Sequence, residues 1–143
     1  MKNIQYLILL VPFWFISCTS APVEVVEETY SDSIAKTVKI YKDESKEILL
    51  KEMQYYEDGQ KKLEGAYKDG ERTGQWSYWY ADGKLWSQGV YKKGVENGLK
   101  TIWHPNGQKY YEGKLKMGKR VGTWKFWDKD GNLVKEIDYD NPK

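Results

Sequence analysis

Thirteen glycines punctuate the chain, and seven of them keep a strict period. Gly59, Gly83, Gly107 and Gly131 stand 24 residues apart, each preceded by Asp or Asn, and Gly70, Gly94 and Gly118 follow the first three at a distance of 11. Turns that alternate at 11 and 13 residues confine the chain to short elements. Asp/Asn-Gly is the strongest short-range hairpin signal, because a type I′ turn needs positive φ at both central residues. Two-residue turns are therefore predicted at Asp58-Gly59, Asp82-Gly83, Asn106-Gly107 and Asp130-Gly131, with a second set at Asp69-Gly70, Lys93-Gly94 and Met117-Gly118. Between them lie runs such as TGQWSYWY and LKTIWH, rich in aromatic and β-branched residues that favour strands. Repetition at this length is the mark of a stacked architecture, here an all-β antiparallel meander.

Two-residue turns fix the register, so cross-strand partners follow from the sequence. Counting outward from the second set of turns pairs Gly65 with Gly74, Gly89 with Gly98 and Gly113 with Gly122. Across the other set, Trp76 falls opposite Gly89 and Lys100 opposite Gly113. An aromatic ring can lie flat over such a glycine, and the expectation is that Trp76 covers Gly89.

The segments LEGAYKDGERTGQW, SQGVYKKGVENGLK and YEGKLKMGKRVGTW resemble MORN repeats, most closely the bacterial variant in which each unit also carries an Asn/Asp-Gly turn. The resemblance covers about residues 55–139. Ser87 and Lys100 replace aromatics of the second unit, and Thr73, Asn97 and Val121 stand where many relatives have His or Tyr. It implies a single-layer antiparallel β-meander of stacked 24-residue MORN-type hairpin repeats and a role in binding proteins or membranes, without catalysis. Members of the bacterial variant family are often labelled antitoxins.

The N-terminus reads differently. Lys2 precedes an apolar run, Tyr6 to Ile16, that is too short to span a bilayer and reads as a signal-peptide core. It ends in FISC, which resembles the lipobox of bacterial lipoproteins with Phe15 in place of the usual leucine; the resemblance implies lipidation of Cys18. Ordinary secretory cleavage is the alternative. The expected organisation is a signal peptide at 1–17, a tether at 18–29, a degenerate capping repeat at 30–54 and the repeat sheet at 55–143. Such a chain would sit at the bacterial cell envelope, anchored to a membrane, with the outer membrane favoured. In the cap, Tyr30 and Tyr41 echo Tyr56 and Tyr67, and Ser33 replaces a glycine; KEILLKEMQYY could alternatively be helical. With one cysteine, no internal disulfide can form.

Charge is uneven. Residues 65–125 hold 12 basic and 5 acidic residues, net +7, whereas 22–64 are net −4 and 126–143 net −2. Solvated lysine on exposed strands explains this blandly; an electrostatic patch for anionic lipid or an acidic partner is the sharper reading. An exported, tethered chain argues against nucleic acid. His104, the only histidine, is expected at a solvated strand end. No zinc-ligand cluster, nucleophile elbow or phosphate-cradling loop is present in the sequence, so neither cofactor, metal nor enzymatic activity is expected.

Strand alternation separates two faces. Leu63, Gly65, Tyr67, Trp76, Tyr78, Tyr80, Leu85, Tyr91, Ile102, Tyr111, Trp124, Phe126, Ile137 and Tyr139 share an apolar one. On the polar face, Tyr55, Trp79, Trp86, Trp103, Tyr110 and Trp127 are expected to form one aromatic stripe. The leading expectation is a scaffold for an unknown protein partner. Carbohydrate or peptidoglycan stacking on the stripe, phospholipid contact and an antitoxin or immunity role are the alternatives.

Overall fold

The computed structural model describes residues 21–31 and 34–141. Ten strands form one open antiparallel sheet in chain order: β1 (Val23–Ser31), β2 (Ile34–Tyr41), β3 (Leu49–Tyr55), β4 (Lys61–Lys68), β5 (Glu71–Trp79), β6 (Leu85–Lys92), β7 (Val95–Trp103), β8 (Lys109–Lys116), β9 (Lys119–Trp127) and β10 (Leu133–Asp138). The fold is the all-β meander expected, with no helix among the described residues. The stretch left open to a helix contains β3. The sheet also begins earlier than the expected tether allows: β1 lies largely within 18–29, because Val26 finds Val38 across the β1–β2 ladder. The proposed signal peptide, Cys18 and Ser33 lie outside the described residues.

Of the two turn series, the second forms the two-residue turns expected and the Asp/Asn-Gly series does not. The two-residue turns with positive φ at both centres are Asp69-Gly70, Lys93-Gly94 and Met117-Gly118, with φ of 54/78, 52/75 and 51/78 degrees. At the Asp/Asn-Gly sites only the glycine has positive φ. There Gly59 N–H donates to Tyr56 O (2.9 Å) and Tyr56 N–H to Gln60 O (2.8 Å), which is a three-residue loop closed by a left-handed glycine. The acidic or amide residue serves through its side chain: Oδ1 of Asp58, Asp82 and Asn106 accepts the backbone N–H of Gln60, Lys84 and Gln108.

The glycine pairs do not form. Ala66 faces Thr73 as predicted from the turn, but Glu64 faces Ser77, so Gly65 stands against the three residues Gly74, Gln75 and Trp76. The same two-residue shift separates Tyr91↔Glu96 from Gly89↔Lys100, and Lys114↔Val121 from Glu112↔Lys125. Gly74 and Gly122, at φ of 65 and 62 degrees, supply the left-handed backbone of the bulge.

The bulge builds the core of a sheet that has no second layer. A regular strand places residues i and i+4 roughly 13 Å apart, yet the Arg72 guanidinium stacks 4.0 Å from the Trp76 ring centroid. Tyr67 and Tyr91 pack on the same indole at 5.3 and 6.0 Å, and its Nε1–H donates to Ala66 O. Trp76 is thereby fully buried. Arg120, Tyr111 and Tyr139 enclose Trp124 in the same way. The unit between them substitutes an ion pair, Lys100 Nζ to Glu96 Oε1 at 2.6 Å, and Tyr91 O–H donates to the same carboxylate oxygen. Trp76 does pair with Gly89 across β5–β6, but its ring covers Gly65; Lys100 and Glu96 cover Gly89.

Candidate functional site

The aromatic residues of the predicted stripe lie at the end of the sheet that carries the long loops, where one bond is repeated from unit to unit. Tyr30, Tyr56 and Tyr80 each donate a phenolic O–H to the backbone oxygen of Tyr55, Trp79 and Trp103, at 3.0, 2.8 and 2.8 Å. His104 takes this place in the next unit, with Nε2 3.1 Å from Trp127 O. It is part of the inter-unit framework and only partly exposed, not a solvated strand end.

The predicted stripe is two rows. Tyr55, Trp79, Trp103 and Trp127 end β3, β5, β7 and β9 and pair with Lys61, Leu85, Lys109 and Leu133. Lys61 places its ammonium over Trp79 (5.4 Å) while bonding Glu64 (2.8 Å), and Lys109 does the same with Trp127 (5.6 Å) and Glu112 (2.7 Å). Glu64 and Glu112 belong to the polar face, so this row does as well. Hydrogen bonding from Lys61, reinforced by Lys51, holds the Glu64 carboxyl below its ordinary range. These interleaved lysines were missed in the sequence.

Trp86 and Tyr110 leave that row. In each unit the ladder skips one residue after the loop: Lys62, Trp86, Tyr110 and Val134 have no partner across the strand pair. The extra residue reverses the alternation, which moves Leu85 to the polar face beside Trp79 and turns Trp86 towards the apolar one. Trp86 packs edge-on to Tyr78 at 6.0 Å and lies 6.1 Å from Tyr80. Tyr110 sits between His104 (4.7 Å) and Tyr111 (5.3 Å). Despite these supports Trp86 is 45% and Tyr110 46% exposed, and Leu133 and Val134 on β10 are exposed as well.

Glu64 and Glu112 are paired with lysine, and the described residues contain no cluster of His, Cys, Asp or Glu disposed to hold a metal ion.

A sequence model of the MORN repeat variant family matches residues 50–69, 72–93 and 120–141. The unmatched stretch between the last two holds Glu96, Lys100 and His104, where this chain exchanges Arg, Trp and Tyr for other residues. No curated protein sequence matches the chain. Among solved structures, a chain of the "Glycosylation Associate Protein (Gap123) complex from Streptococcus agalactiae" is similar at 17% identity and a TM-score of 0.45, over 78% of this chain and 21% of that one. The chain thus spans about a fifth of the length of that protein.

Proposed function

We propose that this chain, a MORN-repeat protein, is a non-catalytic scaffold held at the bacterial cell envelope by a lipid on Cys18, and that it captures a protein partner at the long-loop end of its sheet. The observation that carries the binding reading is the exposure of Trp86 and Tyr110 on rigid backing. Aromatic residues dominate binding energy at interfaces, and rings already braced by Tyr78, Tyr80, His104 and Tyr111 lose little freedom on association. The FISC junction after an apolar core supports the anchor. The test is fractionation followed by capture from envelope extracts. Cys18→Ser should release the protein from membranes or leave an unprocessed precursor. A processed Cys18→Ser protein that stays on membranes refutes the anchor, and capture that is unchanged in Trp86→Ala refutes the binding surface.

A second reading has one observation of its own. Trp79, Trp103 and Trp127 recur on every second strand of the polar face, which spaces them by roughly 9.6 Å, beside hydrogen-bonding groups of Gln88, Thr101 and Glu112. A row of that kind suits stacking on an extended glycan, although Lys61 and Lys109 lie over two of the rings. Retention on purified peptidoglycan that is lost in Trp103→Ala would favour it.

A further inference from the structure

The opposite end of the sheet carries a different surface. On the polar face, the last rung before the short turns sets Lys68 opposite Glu71, Lys92 opposite Val95 and Lys116 opposite Lys119. Lys114 lies on the same face one step inward, and Lys93 forms a turn tip. All six lysines are exposed. None takes part in the ion pairs found among the described residues, which use Lys36, Lys39, Lys51, Lys61, Lys84, Lys100, Lys109 and Lys125. Six of the 12 basic residues of 65–125 are thus gathered on one patch outside any ion pair among the described residues, with Asp69 and Glu71 at one end of it.

The patch is also apolar and fixed in shape. Val95, Leu99 and Met117 are 38%, 53% and 65% exposed within it, and Leu99 sits on the sheet face opposite Lys114. Neighbouring turns are tied together: Gly94 N–H donates to Arg72 O (3.0 Å) and Gly118 N–H to Glu96 O (2.9 Å). A hollow between the first two turns is lined by Lys68, Asp69, Glu71, Thr73, Lys92 and Lys93. Its two carboxylates interrupt the positive row at one end. A uniformly anionic layer or phosphate polymer offers nothing to those carboxylates or to Leu99, which lies back from the turn tips. A polypeptide offers both a cation and apolar side chains.

We propose that the short-turn end of the polar face docks an acidic amphipathic polypeptide segment. Its carboxylates meet Lys92, Lys114, Lys116 and Lys119, and its apolar side chains cover Leu99 and Met117. Charge complementarity carries this assignment, and it stands independently of the aromatic surface at the other end.

The test uses the full chain and two fluorescein-labelled peptides, one of Glu and Leu at helical spacing and its Lys-for-Glu counterpart, followed by anisotropy. The native chain should bind the acidic peptide in preference, and more weakly as salt is raised. Lys92→Glu combined with Lys116→Glu should weaken that binding by about tenfold or more and admit the basic peptide, while Lys135→Ala, at an exposed lysine of β10 away from the patch, leaves both unchanged. Failure of the native chain to bind the acidic peptide, equal binding of the two peptides, or indifference to the double reversal would overturn the proposal. So would retention on phosphatidylglycerol vesicles that depends on the same lysines in a chain that ignores the acidic peptide.

Discussion

Trp76 covers Gly65: a β-carbon built on that glycine would overlap Cγ, Cδ2 and Cε2 of the indole. Gly113 stands in the same relation to Trp124. Neither glycine has positive φ, so the constraint is steric. At Gly89 an added methyl meets only the Glu96 carboxylate at 3.0 Å and the Lys100 stem at 3.1 Å, both on side chains that can move. Gly65→Ala and Gly113→Ala should therefore each destabilise by on the order of 3 kcal/mol, and Gly89→Ala by about 1 kcal/mol or less. Urea denaturation midpoints distinguish the three, and equal losses at all of them would disprove the ring placement.

The turn positions and strand character were legible, because a glycine every 24 residues has few structural uses. The three rungs next to Asp69-Gly70 were legible too, Lys68↔Glu71, Tyr67↔Arg72 and Ala66↔Thr73, since a two-residue turn fixes them. What escaped was where counting stops being valid. A bulge leaves composition and repeat length untouched while changing every pairing beyond it, so Gly74 resembled a partner for Gly65. The bulge at Trp86 left a trace in adjacent apolar residues, Leu85-Trp86, Tyr110-Tyr111 and Leu133-Val134, that strict alternation does not produce. His104 was legible in principle, standing 24 residues after Tyr80 and 48 after Tyr56. The Asp/Asn-Gly sites misled because the dipeptide that favours an I′ turn also serves a three-residue loop, where the acidic or amide side chain accepts a backbone N–H and only the glycine is left-handed.

The central unit gives a direct test of how the core is built. Glu96 and Lys100 occupy the positions of Arg72 and Trp76 across an equally shifted ladder, with Gly89 in the place of Gly65, while Gly98 holds φ of 148 degrees where Gly74 holds 65. Glu96→Arg with Lys100→Trp should install the stack found on either side. The double variant is expected to be more stable than the native chain by about 1 kcal/mol, the scale of a partly desolvated cation–π pair. Each single variant should be less stable, since Glu96→Arg opposes Lys100 and Lys100→Trp leaves the Glu96 carboxylate without its cation. A double-mutant cycle with no coupling would show that the two positions do not form a stack.

Alkaline pH should weaken the sheet through its half-buried phenols. Burial, followed by the charge of Glu96, pushes the Tyr91 hydroxyl up to about 12, and burial also raises Tyr67 and Tyr111. A group whose folded value is raised contributes stability that is complete below its unfolded value and is lost as pH climbs to the folded one. For Tyr91 that window runs from pH 10 to about 12. The melting temperature should fall across it, and Tyr91→Phe, though less stable at neutral pH for want of the bond to Glu96, should fall less steeply. Parallel curves for the two proteins would assign the alkaline loss to other groups.

The last prediction concerns the bulged aromatic residues, where bracing and binding make opposite demands. If Trp86 serves only to hold its hairpin, removing it forfeits its contacts with Tyr78 and Tyr80; cross-strand aromatic pairs contribute roughly 0.2–1 kcal/mol each. Loss of partner capture would then follow unfolding and vanish on cooling. If Trp86 is a binding anchor, its exposed half is the surface that matters, and truncation should abolish capture at a temperature where the variant remains fully folded. Tyr110→Ala should behave alike, because Tyr110 holds the equivalent place two strands away. Trp76 and Trp124 are buried and serve as internal references. Acrylamide should quench a component of the tryptophan fluorescence that disappears in Trp86→Ala, and addition of the partner should protect that same component. Quenching that is identical with and without bound partner would place the interface elsewhere on the sheet.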